Sequence, residues 1–295
     1  MIRSLAASGS ALVFMGAVFW SFNSPLVKYL TLSPFLICAL RSALAAIALL
    51  PFFRPRKLYW NRWLVLYLIC YCFLCLSVIV SLTMTSAAIA VGMQYTAAVW
   101  LFAAGVIHTH SFRIKAFIPV LIITIGIICF MCSGGSGDSD TMGNLVALSE
   151  GIFFAGMSVS AQKAGSRNPL GLTAMGNILT ALFVFLCFPA AMAGLPLMTG
   201  NDWLIMIILG CVQVACGYGF YNAGVQKISA QKASIIALWE MILGPLWVAL
   251  FLHIYPSLLV LIGFVIILCG MLLEGLLNSE RGNYYYKSLL SRCRG

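Results

Sequence analysis

Acidic side chains are scarce in this sequence: seven Asp and Glu stand among 295 residues, against 17 Lys and Arg and three His. Charged residues of either sign make up 8% of the chain, 62% is hydrophobic, and the mean hydropathy is +1.04. So little charge excludes a soluble globular protein, because one core of this length cannot hide that much apolar surface. Paired cysteines are missing as well. The 11 Cys are scattered singly through apolar segments, apart from a loose cluster at Cys70, Cys72 and Cys75, with no zinc-binding or disulfide-framework spacing. They read as small buried hydrophobes and indicate no redox compartment. His-Glu-x-x-His, Gly-x-Ser-x-Gly and an aspartate pair at membrane depth are all absent, which leaves an intramembrane enzyme little to carry chemistry. No cofactor is implied. His108-Thr-His110 sits in a basic turn without a Cys or acidic neighbour and reads as solvated loop, so no metal is expected.

What is present is a series of apolar segments, each about 20 residues long, the length that crosses roughly 30 Å of hydrocarbon as a helix. Ten are read, over 8–29, 34–53, 63–82, 86–107, 113–132, 143–163, 170–193, 203–222, 231–252 and 257–277. The first runs past Phe22 with no small-residue cleavage site before Pro25, so it reads as an uncleaved helix rather than a signal peptide.

Outside the apolar segments, basic residues fall only in alternate connections. They are Arg3; Arg54, Arg56, Lys57 and Arg62; Arg113 and Lys115; Lys163 and Arg167; Lys227 and Lys232; and Arg281, Lys287, Arg292 and Arg294. The intervening connections have no positive charge and carry only Asp138, Asp140 and Asp202. Positive loops stay in the cytoplasm during insertion, so both termini are expected inside. The net charge of +10 is spread thinly over these turns without an aromatic-interleaved patch, which argues against nucleic acid as a partner.

The chain also repeats itself. Gly9-Ser-Ala-Leu-Val lies on Gly143-Asn-Leu-Val-Ala and Ser33-Pro34 on Asn168-Pro169, at an offset near 135. Later in each half, Thr85-Ser-Ala-Ala-Ile-Ala lies on Ser229-Ala-Gln-Lys-Ala-Ser and Gly126 on Gly270, at an offset of 144. Residues 1–132 form the first five-helix repeat, 133–142 an external Gly/Ser/Asp linker, 143–277 the second repeat and 278–295 a basic cytoplasmic tail. Five is odd, so the halves insert in opposite directions. The expected fold is all-α: a polytopic membrane protein of ten transmembrane helices arranged as two inverted repeats. In secondary transporters built this way, the substrate site lies near the midplane between the repeats.

The motifs in these segments resemble those of the drug/metabolite transporter superfamily, and within it the ten-helix EamA-type family. They are Val18-Phe-Trp20-Ser-Phe-Asn23-Ser-Pro25-Leu-Val-Lys28, Pro34 with Arg41, and Ala90-Val-Gly-Met-Gln94-Tyr95-Thr96 in the first half. In the second half they are Ala233-Ser-Ile-Ile-Ala-Leu-Trp239-Glu240, Gly244-Pro245-Leu-Trp247 and Pro256 through Gly263. The chain departs from the family pattern at His253-Ile254, where Gly-Glu is common, and at Ala98, where proline is usual. The resemblance implies a bacterial inner-membrane protein exporting amino acids or related metabolites, with uptake as the alternative.

Few ionisable residues lie at membrane depth: Lys28, Arg41, Glu150, Glu240 and, near an inner end, Glu274. Each costs about 2.5–3.5 kcal/mol at a helix centre on insertion scales, so each is expected to face a cavity or a partner. Glu150 and Glu240 sit roughly 10–14 Å from their helix ends, near the midplane, where a carboxyl group could exchange a proton as the cavity opens to either side. Under the repeat, Glu150 falls on Gly16, Glu240 on Thr96 and Arg41 on Gly176, so none has a charged counterpart. By the resemblance, Glu150 also lies near the glutamate that binds protons and cations in the superfamily's small multidrug members.

Each of these residues has a structural role open to it beside the functional one. Glu150 couples or binds substrate, or forms a salt bridge with Arg41 or Lys28. Glu240 does the same, or makes a packing hydrogen bond near Gly244-Pro245. Arg41 holds a carboxylate or phosphate in its planar fork, or pairs with a glutamate. Lys28 lies toward the outer surface, where it can snorkel. Trp20, Asn23, Gln94, Tyr95, Tyr218, Tyr221 and Trp239 suit the wall of a solute cavity, or else helix packing and interfacial belts. Pro25 and Gly244-Pro245 mark possible bends for gating. Gly217-Tyr218-Gly219 resembles the core of a potassium filter, but it lies inside a full span and, with Gly210 and Gly224, reads as close helix packing. The expected partners are a small-molecule substrate and the bilayer, with proton coupling and a monomer or homodimer as the working unit.

Overall fold

The computed structural model describes residues 8–54, 58–85, 87–112, 114–132, 141–164, 168–252 and 257–278. Arg3, Arg56, Lys57, Arg113, Asp138, Asp140, Arg167, His253, Ile254, Pro256 and the basic tail with Arg281, Lys287, Arg292 and Arg294 lie outside the described residues, as does most of the linker. Among the described residues every regular element is helical. We label the helices α1 (Gly9–Trp20 and Asn23–Tyr29), α2 (Pro34–Leu49), α3 (Arg62–Met84), α4 (Ala87–Gln94 and Ala97–Thr109), α5 (Ile114–Cys132) and α6 (Thr141–Lys163). They continue as α7 (Pro169–Cys187), α8 (Gly200–Ile207, a π-helical turn over Ile208–Val214, then Ala215–Val225), α9 (Ala230–Ala237 and Trp239–Leu252) and α10 (Leu258–Asn278).

Seven of these helices are long and apolar enough to cross a membrane: α1, α2 with its 3-10 extension to Phe52, α3, α4, α6, α7 and α8. Shorter apolar stretches run over Ile114–Cys129 in α5 and Leu261–Glu274 in α10. The structure is thus an all-α polytopic membrane protein, the fold class expected from the sequence.

Local chemistry sets the helix starts. Pro34 and Pro169 occupy the first turns of α2 and α7, where a missing N–H costs nothing. The Asn61 side chain accepts from Leu64 N at 2.9 Å to open α3. Thr199 and Asp202 form a reciprocal capping box at α8, with the Asp202 carboxylate accepting from Thr199 N at 2.8 Å. One expected boundary moves: α7 ends at Cys187 rather than 193, and a 3-10 helix follows over Pro189–Leu197. Pro189 disfavours helical geometry at Phe188, which sits at φ −129° and ψ 53°.

Packing is by close helix pairs: α3 lies along α6, α8 along α1, α2 along α7 and α5 along α10. Glycine permits the closest approaches. A Cβ at Gly217 would come within 2.4 Å of the Trp20 ring, and one at Gly224 within 2.7 Å of the Gly9 carbonyl, so α8 and α1 meet almost backbone to backbone. Gly217-Tyr218-Gly219 is regular helix within α8, as the packing reading requires.

The ends of the bundle differ in charge. The Lys163 ammonium lies 4.4 Å from the Trp63 ring centroid, Asn61 Nδ2 donates to Ala164 O at 3.1 Å, and Asn168 Nδ2 donates to Phe52 O at 2.9 Å. Gly9 abuts Lys227. These contacts gather the described basic connections from α2–α3, α6–α7 and α8–α9 at one end. At the other, Thr85 bonds Asn144 at 2.8 Å and Phe35 stacks on Phe188 at 4.1 Å.

Three helices are interrupted. In α1 the break is at Ser21-Phe22, and Pro25 lacks the N–H that would bond the Ser21 carbonyl. In α4 it is at Tyr95-Thr96, and in α9 at Leu238. The bend expected at Gly244-Pro245 is not where α9 breaks, since its second segment runs through both residues. Gly244 instead faces the Ser21 carbonyl at the α1 break, at 3.7 Å from its Cβ position, and Trp247 Nε1 donates to Ser21 Oγ at 2.7 Å.

Gly217→Ala should destabilise the protein by about 1–3 kcal/mol, since its Cβ cannot be accommodated without displacing Trp20. Gly105→Ala, with nothing within 4 Å, should stay within about 0.5 kcal/mol of the wild type or gain slightly from helix propensity. Thermal unfolding of the two variants in one detergent checks the contrast.

Candidate functional site

Arg41, Glu150 and Glu240 lie inside the bundle at 1%, 1% and 6% exposure. Each reaches it from a different helix, and each is met by neutral partners. Arg41, midway along α2, donates from Nη1 to the Asn23 side-chain oxygen at 3.2 Å and from Nη2 to the Cys75 carbonyl at 2.8 Å. Its Nε has no acceptor. Glu150 on α6 accepts from Ser81 Oγ on α3, and Glu240 on α9 accepts from the Tyr95 hydroxyl on α4. No ion pair joins Arg41 to either carboxyl. Glu150 nevertheless lies within electrostatic reach of Glu240 and of Arg41.

Aromatic rings fill the space among these groups. Trp20, at the α1 break, packs against Tyr218 at 4.7 Å, Tyr221 at 4.9 Å and Phe154 at 5.8 Å. Phe154, one turn beyond Glu150 on α6, meets Tyr221 at 5.3 Å and Tyr95 at 6.1 Å. Tyr71 meets Tyr218 at 4.7 Å, and both border Arg41. The Trp20 indole N–H is buried without an acceptor. A polar layer lies toward the basic end. There Asn177 Nδ2 donates to the Tyr71 hydroxyl at 2.7 Å, Asn222 Nδ2 donates to the Tyr67 hydroxyl at 2.7 Å and to Thr173 Oγ1 at 2.9 Å, and the Ser158 and Tyr221 hydroxyls bond at 2.6 Å.

Chemically, this is a buried polar chamber filled by its own aromatic side chains, with two carboxyl groups and one guanidinium. A guanidinium has five N–H donors and seeks a planar anion. Here it has two neutral acceptors and spare donor capacity. A buried charge without a counterion is costly unless something completes its shell, so the chamber is suited to an anionic group at Arg41 and a cationic or hydrogen-bonding group at the carboxyls.

The structure thus brings together Arg41, Glu150, Glu240, Trp20, Asn23, Tyr95, Tyr218 and Tyr221. Gln94, next to Tyr95, is buried. Trp239 is half-buried and meets Phe14 edge-on at 5.5 Å, on the side of α1 away from this chamber's Trp20 contacts. Lys28 is not in the chamber: it is exposed at the end of α1, with its ammonium donating to Thr85 O at 3.3 Å. A salt bridge of Glu150 with Arg41 or Lys28 does not form. Sequence reasoning passed over Ser81, Tyr67, Tyr71, Phe154, Thr173, Asn177 and Asn222. The signal was spacing: Tyr67 and Tyr71, Thr173 and Asn177, and Glu150, Phe154 and Ser158 are rows four apart, each lying on one helix face.

The model of the EamA-like transporter family matches residues 141–275, the stretch that carries α6 to α10 with Glu150 and Glu240. A solved structure described as "Crystal structure of protein" superposes with a TM-score of 0.74 at 17% identity, covering 91% of this chain and 96% of its own. At that identity the likeness concerns the fold. No curated protein matches the chain. The second half thus matches the EamA-like transporter family, and the fold is that of a multi-pass helical membrane protein.

Ser81→Ala and Glu150→Gln should be coupled. Each alone is expected to lower stability by about 1–3 kcal/mol, and the double variant by about 1 kcal/mol less than their sum, because both remove one buried hydrogen bond. A double-mutant cycle on thermal unfolding in detergent measures this.

Proposed function

We propose that this protein is a secondary active transporter that moves a small metabolite bearing both charges, an amino acid or related zwitterion or amine, outward across the bacterial inner membrane in exchange for protons. The observation that carries this reading is the arrangement of Arg41, Glu150 and Glu240: all buried, with Glu150 in electrostatic reach of the other two, and each bound only to neutral groups. A substrate carboxylate completes the fork of Arg41. Its ammonium takes a carboxyl group among the rings of Trp20, Tyr218, Tyr221 and Phe154, where cation–π attraction adds to the charge interaction. Without substrate, the carboxyl groups can each take up a proton, which is the simplest coupling device.

Alternating access in this reading comes from an inverted repeat, residues 1–132 against 143–277. The helix pairs support it. Exchanging each helix with its counterpart five places on turns α3–α6 into α8–α1, and leaves α2–α7 and α5–α10 as they are, which is the pairing expected of a two-fold axis in the membrane plane. Gly126 and Gly270, equivalent in the repeat, make matching close approaches to Ile267 and Ile123 across α5–α10. Both termini then lie in the cytoplasm with the basic end of the bundle.

Metabolite profiling of medium and cytosol from cells overproducing the wild type, Glu150→Gln or Arg41→Ala tests the reading without presuming a substrate. A zwitterionic solute should accumulate outside with the wild type and fall to the vector level with either variant. A simple organic cation whose export survives Arg41→Ala would replace the zwitterion with an amine. Depletion from the medium would make the protein an importer, and no difference between wild type and vector would overturn the transporter reading.

A further inference from the structure

The two buried carboxyl groups occupy mechanically different places. Glu150 lies within α6, which runs unbroken from Thr141 to Lys163. Glu240 lies two residues beyond the break of α9 at Leu238, and its hydrogen-bond partner Tyr95 is itself the residue at which α4 breaks. Those breaks fall within two residues of equivalent positions in the repeat, because Leu238 lies on Gln94 at the offset of 144. Both are tightened turns: Tyr95 N bonds Gly92 O at 3.2 Å and Thr96 N bonds Met93 O at 3.1 Å, while Leu238 N bonds Ile235 O at 3.2 Å and Met241 N bonds Leu238 O at 3.0 Å. Such local departures from the α-helical ladder are where a helix bends.

We propose that the carboxyl groups divide the work: Glu240, tied to Tyr95 between the two breaks, couples proton binding to the bending of α4 and α9 together, while Glu150 holds substrate. The proposal rests on the transporter reading above. Ionised, Glu240 takes a charge-assisted hydrogen bond from Tyr95, about twice as strong as the neutral bond left after protonation. Protonation therefore loosens one link that spans both hinges, and the two repeats are released at once. Glu150 has no such leverage on its own helix. It sits instead beside the hinge: the next residue, Gly151, packs so closely that a Cβ would fall 2.2 Å from Thr96 Oγ1 and 2.9 Å from Met93 O. Substrate on Glu150 thus presses on the α4 break that Glu240 controls.

The titratable groups that face this link are few. Tyr95 comes from α4, Glu150 from α6, Tyr218 and Tyr221 from α8, and Arg41 from α2 stands in reach of Glu150 and Tyr218. The titratable side chains of α1, Lys28 and Tyr29, are exposed at its far end. Glu150 is the one other carboxyl group in this set, so a variant at each glutamate separates the two roles.

Hydrogen–deuterium exchange of the purified full-length protein in lipid nanodiscs, at acidic and alkaline pH with labelling corrected for intrinsic exchange, tests the link without any substrate. In the wild type, peptides covering 93–98 and 235–242 should both exchange several-fold faster at acidic pH. Glu240→Gln and the conservative Tyr95→Phe should exchange fast at both pH values, and Glu150→Gln should keep the wild-type response. The division is overturned if Glu150→Gln abolishes the response and Glu240→Gln does not, if only one segment responds, or if the wild type shows no response. A missing response in a protein that still exports its solute refutes the hinge link alone, whereas a response of the proposed kind without solute movement refutes the transporter reading.

Discussion

A guanidinium buried at the centre of an apolar bundle without a carboxylate bonded to it is the constraint around which the rest is arranged. Arg41 must keep its charge, because no protein environment deprotonates it, and the surrounding helices answer with dipoles: the Asn23 amide, the Cys75 carbonyl, and the rings of Tyr71 and Tyr218. Supplying Asn23 at that spot is tied to the interruption of α1, whose second segment begins there. The two carboxyl groups stand close by, but each is satisfied by a hydroxyl. The interior is therefore held by hydrogen bonds to neutral groups, which leaves the charges free to be answered by something that comes and goes.

The close helix crossings make such an interior possible. Glycines at the α1–α8 and α5–α10 contacts bring backbones together, so shape and van der Waals contact hold the scaffold where lipid offers no hydrophobic drive for helix association. Polar residues are then released from structural duty and concentrated between α1, α2, α3, α4, α6, α7, α8 and α9. The breaks in α1, α4 and α9 lie at the edge of this polar region, where the backbone groups they free are buried in protein rather than exposed to lipid.

Most boundaries followed from hydropathy, because hydrocarbon thickness dictates length whatever the packing, and Pro34 and Pro169 fall in the first turns of α2 and α7. The break of α9 at Leu238 was not legible, since no Pro or Gly marks it, and the second segment runs on through Gly244 and Pro245. Ser81, Asn177 and Asn222 were passed over because an uncharged polar residue in an apolar segment is unremarkable until its neighbours across the bundle are known.

Composition and spacing alone therefore determined that this chain is a membrane-embedded helical bundle, where its helices lie, and which few charges must be buried, because the cost of polar groups in hydrocarbon is written locally along the chain. Tertiary structure decided what those charges meet. That Glu150 takes Ser81, Glu240 takes Tyr95 and Arg41 takes Asn23 and Cys75, rather than one another, depends on contacts between residues 18 to 145 positions apart. The bilayer sets the length of each helix separately, but only the packing of helices side by side sets which faces look at each other.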